Sequence, residues 1–241
     1  MKLKRNVHDL LHRFFGIDVV RYDSRAFPDL RRRDELQRLD IGLVLDVGAN
    51  TGYYAQQLRL AGFGGRIVSF EPLTDAFEGL ERAARRDPLW ETIRLALGAH
   101  DGECVIHIAG NSLSSSLLPM GARHLVGAPE SREVAVDTVP LARLDSVRSE
   151  IVRGERTYLK LDVQGYELEV LHGAGETLPA VEAIECELSL VELYDGQPLL
   201  PEMVQFLEDA GYSLLHLEPE FRDVRSQAIL QVSGIFVRSR R

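Results

Sequence analysis

Between Leu43 and Val237 the chain alternates short apolar runs with segments whose apolar residues recur at helical spacing, and this rhythm constrains the fold more than any other feature. Strands alternating with helices build a parallel sheet that the helices cover. The spacing predicts strands near 43–47, 66–70, 93–98, 103–109, 134–139, 157–163, 182–188, 212–218 and 229–237. The last two runs, YSLLHLE and ILQVSGIFV, leave no room for a helical crossover and are predicted to be antiparallel neighbours. The predicted fold class is α/β, a mostly parallel sheet with an antiparallel C-terminal strand.

Two helices are legible in detail. In DAFEGLERAARRD, Ala76, Phe77, Leu80, Ala83 and Ala84 share one stripe, and Asp75 and Glu78 are spaced like an N-cap and its capping-box partner. In PEMVQFLEDAGY, Pro201 suits a first turn, Met203, Phe206, Leu207 and Ala210 face inward, and Gly211 suits the stop. At 241 residues and 45% apolar, the chain can bury a full core. Residues 41–241 read as one domain, and 1–40 as a basic, helical cap segment. Residues 1–38 hold ten Lys/Arg against six Asp/Glu, which leaves −13 on the remainder of a chain whose net charge is −9. That acidic body argues against nucleic acid as a partner.

Cys104 and Cys186 lack C-x-x-C or Cys/His spacing, so neither a disulfide framework nor a zinc site is predicted, and a reducing compartment fits. In the opening MKLKRNVHDLLHRFFGIDVV, His8, Asp9, His12 and Arg13 interrupt the apolar residues, which spoils a signal-peptide core and an integral membrane segment alike. The expected location is cytoplasmic. An amphipathic helix packed on the body, rather than one resting on a membrane surface, is the expected form of this segment.

The stretch LVLDVGANTGYYAQQL joins a buried strand to a helix, at a point where α/β folds commonly bind ligands. A dinucleotide site would read G-x-G-x-x-G, with the pyrophosphate on the helix N-terminus. Here Gly48 and Gly52 keep two close backbone approaches, Asn50 takes the middle place, and Asp46 adds a negative charge at the strand end. The next strand ends in Glu71, placed to accept both hydroxyls of a ribose. A cationic nucleoside without phosphates satisfies these features together. S-adenosylmethionine (SAM) is such a ligand, with its diol for Glu71, its sulfonium and ammonium near Asp46, and its carboxylate for amides around Gly48, Asn50 and Gly52. A nicotinamide-dependent reductase is disfavoured by the missing glycine pattern.

With these residues in view, the chain resembles the FkbM family of SAM-dependent methyltransferases from about Val44 to Val237. The resemblance rests on VLDVGANTGYYA, IVSFEPL, NSLSSSLL, LKLDVQGYELEVL and ECELSLVELYDGQPL, and the family often has Glu where Gln164 stands. It implies a class I methyltransferase (Rossmann-like) sheet with helices on both faces and SAM as methyl donor. It also implies O-methylation of a hydroxyl on a sugar, glycolipid or other natural product.

In YLKLDVQGYE a buried strand breaks into a helix, so Asp162 is predicted at the carboxyl end of its strand, facing the same cleft as the glycine turn. It is the leading candidate to take the proton of an acceptor hydroxyl. Lys160, two residues earlier on the same face, is placed to hold Asp162 ionised or to orient the acceptor. A purely structural Lys160–Asp162 pair, or Asp162 as a helix cap, is the competing reading. Glu185 and Glu187 share a strand face and with Asp162 form a conceivable divalent-metal set, but no His is suitably spaced, and hydrogen-bonded glutamates are favoured. AGNSLSSSLLPM suits a segment that closes over a polar acceptor, and Tyr194, Asp195 and Gly196 suit either its pocket or a simple turn. His107 reads as a structural histidine. A SAM-binding module without catalysis is the alternative function.

Overall fold

The computed structural model describes residues 12–16 and 27–239, so most of the segment read as a basic cap lies outside the described residues. The strands, in chain order, are β1 (Leu43–Val47), β2 (Arg66–Phe70), β3 (Trp90–Ile93), β4 (Ala96–Leu97), β5 (Gly102–Ala109), β6 (Glu133–Ala142), β7 (Thr157–Leu161), β8 (Val181–Ser189), β9 (Tyr212–Arg222) and β10 (Ile229–Arg238). The helices are α1 (Pro28–Arg38), α2 (Tyr53–Leu60), α3 (Thr74–Ala84), α4 (Ala122–Gly127), α5 (Leu144–Ile151), α6 (Glu167–His172) and α7 (Leu200–Asp209).

Seven strands form one sheet in the order β3-β2-β1-β7-β8-β10-β9. The pairs from β3 across to β8 are parallel, and β10 runs antiparallel to both β8 and β9. The sheet is buried on both faces at its centre, which is why β1 and β2 read as largely apolar runs. Leu43, Leu45 and Val47 point into a core with Leu144, Val170 and Met203 of α5, α6 and α7. Val44 points into a second core with Leu36, Leu58 and Leu80 of α1, α2 and α3. Helices thus cover both faces, and α1 packs directly on the body through Leu30 and Leu36.

Three expectations need correction. The run 93–98 is not one strand: Trp90–Ile93 pairs with β2, whereas Ala96–Leu97 pairs with β6. Both partners bury apolar side chains, so hydrophobicity alone conceals the switch between them. The strands expected at 103–109 and 134–139 lie outside the main sheet and form, with β4, a second sheet of order β4-β6-β5. Asp75 does not cap α3, because the cap falls two residues earlier, at Leu73, and the helix begins at Thr74. The Leu73 N–H donates instead to Glu71 Oε1 at 2.9 Å. The second helix behaves as read: Met203 and Leu207 are buried, and Gly211 follows the helix at φ +88°.

The carboxyl ends of β1 and β7 touch backbone to backbone. Gly48 has φ +76°, and a Cβ there would stand 1.9 Å from the Asp162 carbonyl oxygen. Gly48→Ala combines a left-handed backbone with a clash that only backbone movement relieves, and should destabilise the protein by about 3 kcal/mol or more. At Gly62 the φ is also positive, +97°, but a Cβ there would meet nothing within 4 Å. Gly62→Ala should therefore cost only about 1 kcal/mol, from conformation alone. Urea denaturation of both variants beside the wild type checks the difference.

Candidate active site

The turn after β1 places three left-handed residues within five positions: Gly48 (φ +76°), Asn50 (φ +47°) and Gly52 (φ +85°). Their reasons differ. Gly48 lies against the Asp162 carbonyl, and Gly52 at the N-cap of α2 lies against Trp90 and Leu80, so Gly52 is a packing glycine. Asn50 is one of the few side chains that tolerate this conformation. Its N–H donates to Glu71 Oε2 at 2.8 Å, and its Oδ1 accepts the Thr51 N–H at 2.9 Å. Glu71, buried at the end of β2, thus gathers the Asn50 and Leu73 amides. Burial pushes its carboxyl up to about 7, against the pull of those two donors.

Asp46 is wholly buried at the end of β1. Its Oδ2 accepts the Ser69 hydroxyl at 3.1 Å, and its Oδ1 lies 3.1 Å from Lys160 Nζ. The parallel register pairs Asp46 with Lys160 directly across β1 and β7. Lys160 Nζ also lies 3.3 Å from Asp162 Oδ2 and 5.1 Å from the centre of the Tyr54 ring. Burial works to lower the Lys160 pKa, but the carboxylates of Asp162 and Asp46 outweigh it and raise the pKa above its ordinary value. Asp46 therefore lies behind the cleft, with Lys160 between it and Asp162.

Asp162 follows the last residue of β7 and lines two adjoining clefts. The first is lined by Gly48, Asn50 and Glu71 together with the apolar side chains of Leu73, Leu97 and Ile106. The second is walled by Tyr53, Tyr54, Lys160, Glu187 and Glu220. Leu113, 63% exposed, lines both and sits in the segment predicted to close over an acceptor. That segment is anchored from below: Ser116 Oγ donates to the Gln164 carbonyl at 2.7 Å, and Met120 bridges to Tyr194. Asp195 and Gly196 serve the turn, Asp195 N–H donating to Pro119 O at 2.9 Å, while Tyr194 is buried with its hydroxyl 2.7 Å from Gln164 Oε1. His107 Nδ1 pairs with Glu133 at 2.6 Å, a satisfied structural histidine.

Glu185 is committed elsewhere. It accepts a forked contact from Arg32, the Tyr54 hydroxyl at 2.8 Å and the Tyr158 hydroxyl at 2.9 Å. Burial would raise its pKa, but the Arg32 guanidinium and the two hydroxyls hold it below the usual carboxylate range. These donors take the lone pairs that a metal would need, which removes Glu185 from the conceivable set with Asp162 and Glu187. Among the described residues no group of three His, Cys, Asp or Glu is arranged to hold a metal ion. Sequence reasoning missed Arg32, which sits in the Arg-rich RRRDE and looks solvated until α1 is placed against β8.

The family model of the methyltransferase FkbM domain matches residues 46–214. The chain belongs to the FkbM methyltransferase family. Its seven-stranded, mostly parallel sheet with the antiparallel β10 is the class I methyltransferase architecture that the sequence resemblance implied. Solved structures similar to this FkbM-family chain include magnesium protoporphyrin IX methyltransferase from Synechocystis PCC 6803 with bound SAM, at 13% identity over 98% of this chain and 97% of that one, TM-score 0.45. Aeropyrum pernix fibrillarin in complex with SAM is 13% identical over 83% of this chain and 68% of that one, TM-score 0.47. TehB from Haemophilus influenzae is 9% identical over 97% and 67%, TM-score 0.49. No curated protein matches this chain. No helix among the described residues is long and apolar enough to cross a membrane.

The FkbM-family site depends on its buried ion pairs remaining matched. Removing the carboxylate of Glu185 leaves the buried Arg32 guanidinium with Asp29 as its remaining carboxylate among the described residues. Glu185→Ala should destabilise the protein by about 3 to 5 kcal/mol, measured by chemical denaturation. Glu185→Gln, which keeps hydrogen-bonding capacity, should fall between it and the wild type.

Proposed function

We propose that this FkbM-family protein is a SAM-dependent O-methyltransferase, acting on a hydroxyl of a sugar, glycolipid or other natural-product acceptor. The observation that carries the reading is the position of Asp162, among the described residues the one ionisable side chain that lines both clefts. The first cleft suits SAM: Glu71 is a buried acceptor for ribose hydroxyls, Gly48 and Asn50 bring backbone close, and Leu73, Leu97 and Ile106 offer an apolar bed for adenine. The second cleft, rich in carboxylate and tyrosine, suits a hydroxylated small molecule rather than nucleic acid.

SAM, when bound, supplies a methyl group activated by its sulfonium. The protein's part is to hold and deprotonate the acceptor. Asp162 takes the hydroxyl proton as the oxygen is methylated, a contribution on the order of 10²–10⁴-fold for a well-placed general base. Lys160 holds Asp162 in place through its Oδ2, and Asp46, acting through Lys160, is a positioning residue. Leu113 lines both clefts and is placed to pack against a bound acceptor.

Titration calorimetry with SAM, with NADH as control, tests the donor. Saturable SAM binding that Glu71→Ala abolishes is the expected result, and binding of NADH alone would overturn the reading. Transfer of labelled methyl from SAM to a panel of sugars and glycolipids tests the reaction. Asp162→Asn should retain SAM affinity within a few-fold and lose about a hundredfold or more in turnover. SAM binding with no methylated product from any acceptor would favour a non-catalytic SAM-binding module.

The elevated Glu71 carboxyl adds a pH signature. Above about 7 it is ionised and a strong acceptor for the diol; below that it binds a proton and loses acceptor capacity. SAM affinity should therefore rise with pH through 7 and level off, about tenfold stronger at pH 8 than at pH 6. Calorimetry at the two values checks this, and Glu71→Gln should flatten the dependence.

A further inference from the structure

Gln164 stands in a left-handed backbone conformation, φ +55°, that glutamine seldom adopts. The surrounding turn enforces it. Gly165 follows at φ +95°, and Glu167 Oε1 accepts the Val163 and Gly165 amides at 3.1 and 3.2 Å. Each polar atom of the glutamine side chain has a partner. Nε2 donates to Asp162 Oδ1 at 2.8 Å and to Glu187 Oε2 at 2.7 Å, and Oε1 faces the Tyr194 hydroxyl at 2.7 Å. The orientation of the amide follows from chemistry, because turning it over would set its oxygen against two carboxylates.

We infer that Gln164 is a positioning residue for Asp162, its carboxamide standing between Asp162 and Glu187 where a divalent cation would otherwise sit. This rests on the methyl-transfer reading for the role of Asp162. Two carboxylates facing one another need a donor between them, and an amide supplies two N–H groups aimed one at each. Lys160 holds Asp162 by its other oxygen, so the carboxylate is fixed from both sides. Gln231 Nε2 adds a second donor to Glu187 Oε2 at 3.1 Å. Burial, with Asp162 and Glu220 nearby, raises Glu187 well above the usual carboxylate range, and with a proton on its other oxygen Oε2 still accepts from the amide.

The same residue reaches the covering segment. The Tyr194 hydroxyl also lies 3.0 Å from the Ser114 carbonyl, and Ser116 Oγ holds the Gln164 carbonyl. Orientation of the base is thereby joined to the seating of residues 112–116.

Gln164→Glu tests the bridge, because it replaces the two N–H donors with a third carboxylate. Calorimetric titration with MnCl2 should find no saturable site in the wild type, one site in Q164E, and none in the Q164E/D162N double variant. In EDTA the Q164E melting temperature should fall, and Mn2+ should restore it without affecting the wild type. SAM titration of each sample reports whether the fold and donor site are intact. A SAM-competent Q164E that takes up no Mn2+, or a wild type that binds Mn2+ as tightly, would overturn the inference. Should Q164E fail to fold, Tyr194→Phe removes only the hydroxyl that locks the amide. It should then speed backbone hydrogen exchange both at 162–165 and at 112–117, and unchanged exchange at both would also overturn the inference. A wild type that does not bind SAM would sink the functional reading instead, leaving the Mn2+ comparison to judge the bridge alone.

Discussion

The buried ammonium of Lys160 is the interaction on which the rest of the site depends. It sits between Asp46 on β1 and its neighbour Asp162 at the end of β7, beneath the Tyr54 ring and 3.4 Å from the Gly48 carbonyl. Taking an ammonium out of water costs several kcal/mol, and only close, well-directed anions offset that cost. Two carboxylates do so here. Because one belongs to the strand before the glycine turn and the other stands in the cleft, a single cation fixes the relative placement of both.

A second buried cation is treated in the same way on the neighbouring strand, where Glu185 is the register partner of Lys160. Arg32 reaches from α1 to Glu185 on β8, which also collects two tyrosine hydroxyls and lies near the Ser233 hydroxyl. This cluster sews the N-terminal helix to the sheet, and α1 thereby becomes a wall of the second cleft through Pro28 and Arg32. Charge matching therefore builds the cleft twice, once to hold the Asp162 carboxylate and once to hold a helix.

Much of the fold was legible because burial on both faces writes β1 and β2 as largely apolar runs of strand length. Asp162 and Glu71 were legible from their positions at strand ends, and Gly48 from its turn. What spacing could not carry was the cross-strand partner. Asp46 read as a ligand for a cation in solution, yet register hands it a cation from the protein, Lys160. The departure of the chain into the small sheet after Ile93 was hidden for a similar reason, since apolarity records burial and not the identity of the neighbour. Gln164 was legible only as a departure from the Glu the family often has there, and its contacts appear only when Asp162, Glu187 and Tyr194 converge on it.

The contact of Gly48 with the Asp162 carbonyl has a consequence for how such a site diversifies. With no side chain between them, the glycine turn and the strand end that carries Asp162 form one rigid block, and neither can shift without displacing the other. A new substrate is therefore easier to accommodate at walls that lie outside that block, namely α1, the Leu113 segment and β9 near Glu220. Those surfaces come from separate parts of the chain. A protein of this design can reshape its cleft at the margins while the glycine turn and strand end at its centre stay fixed.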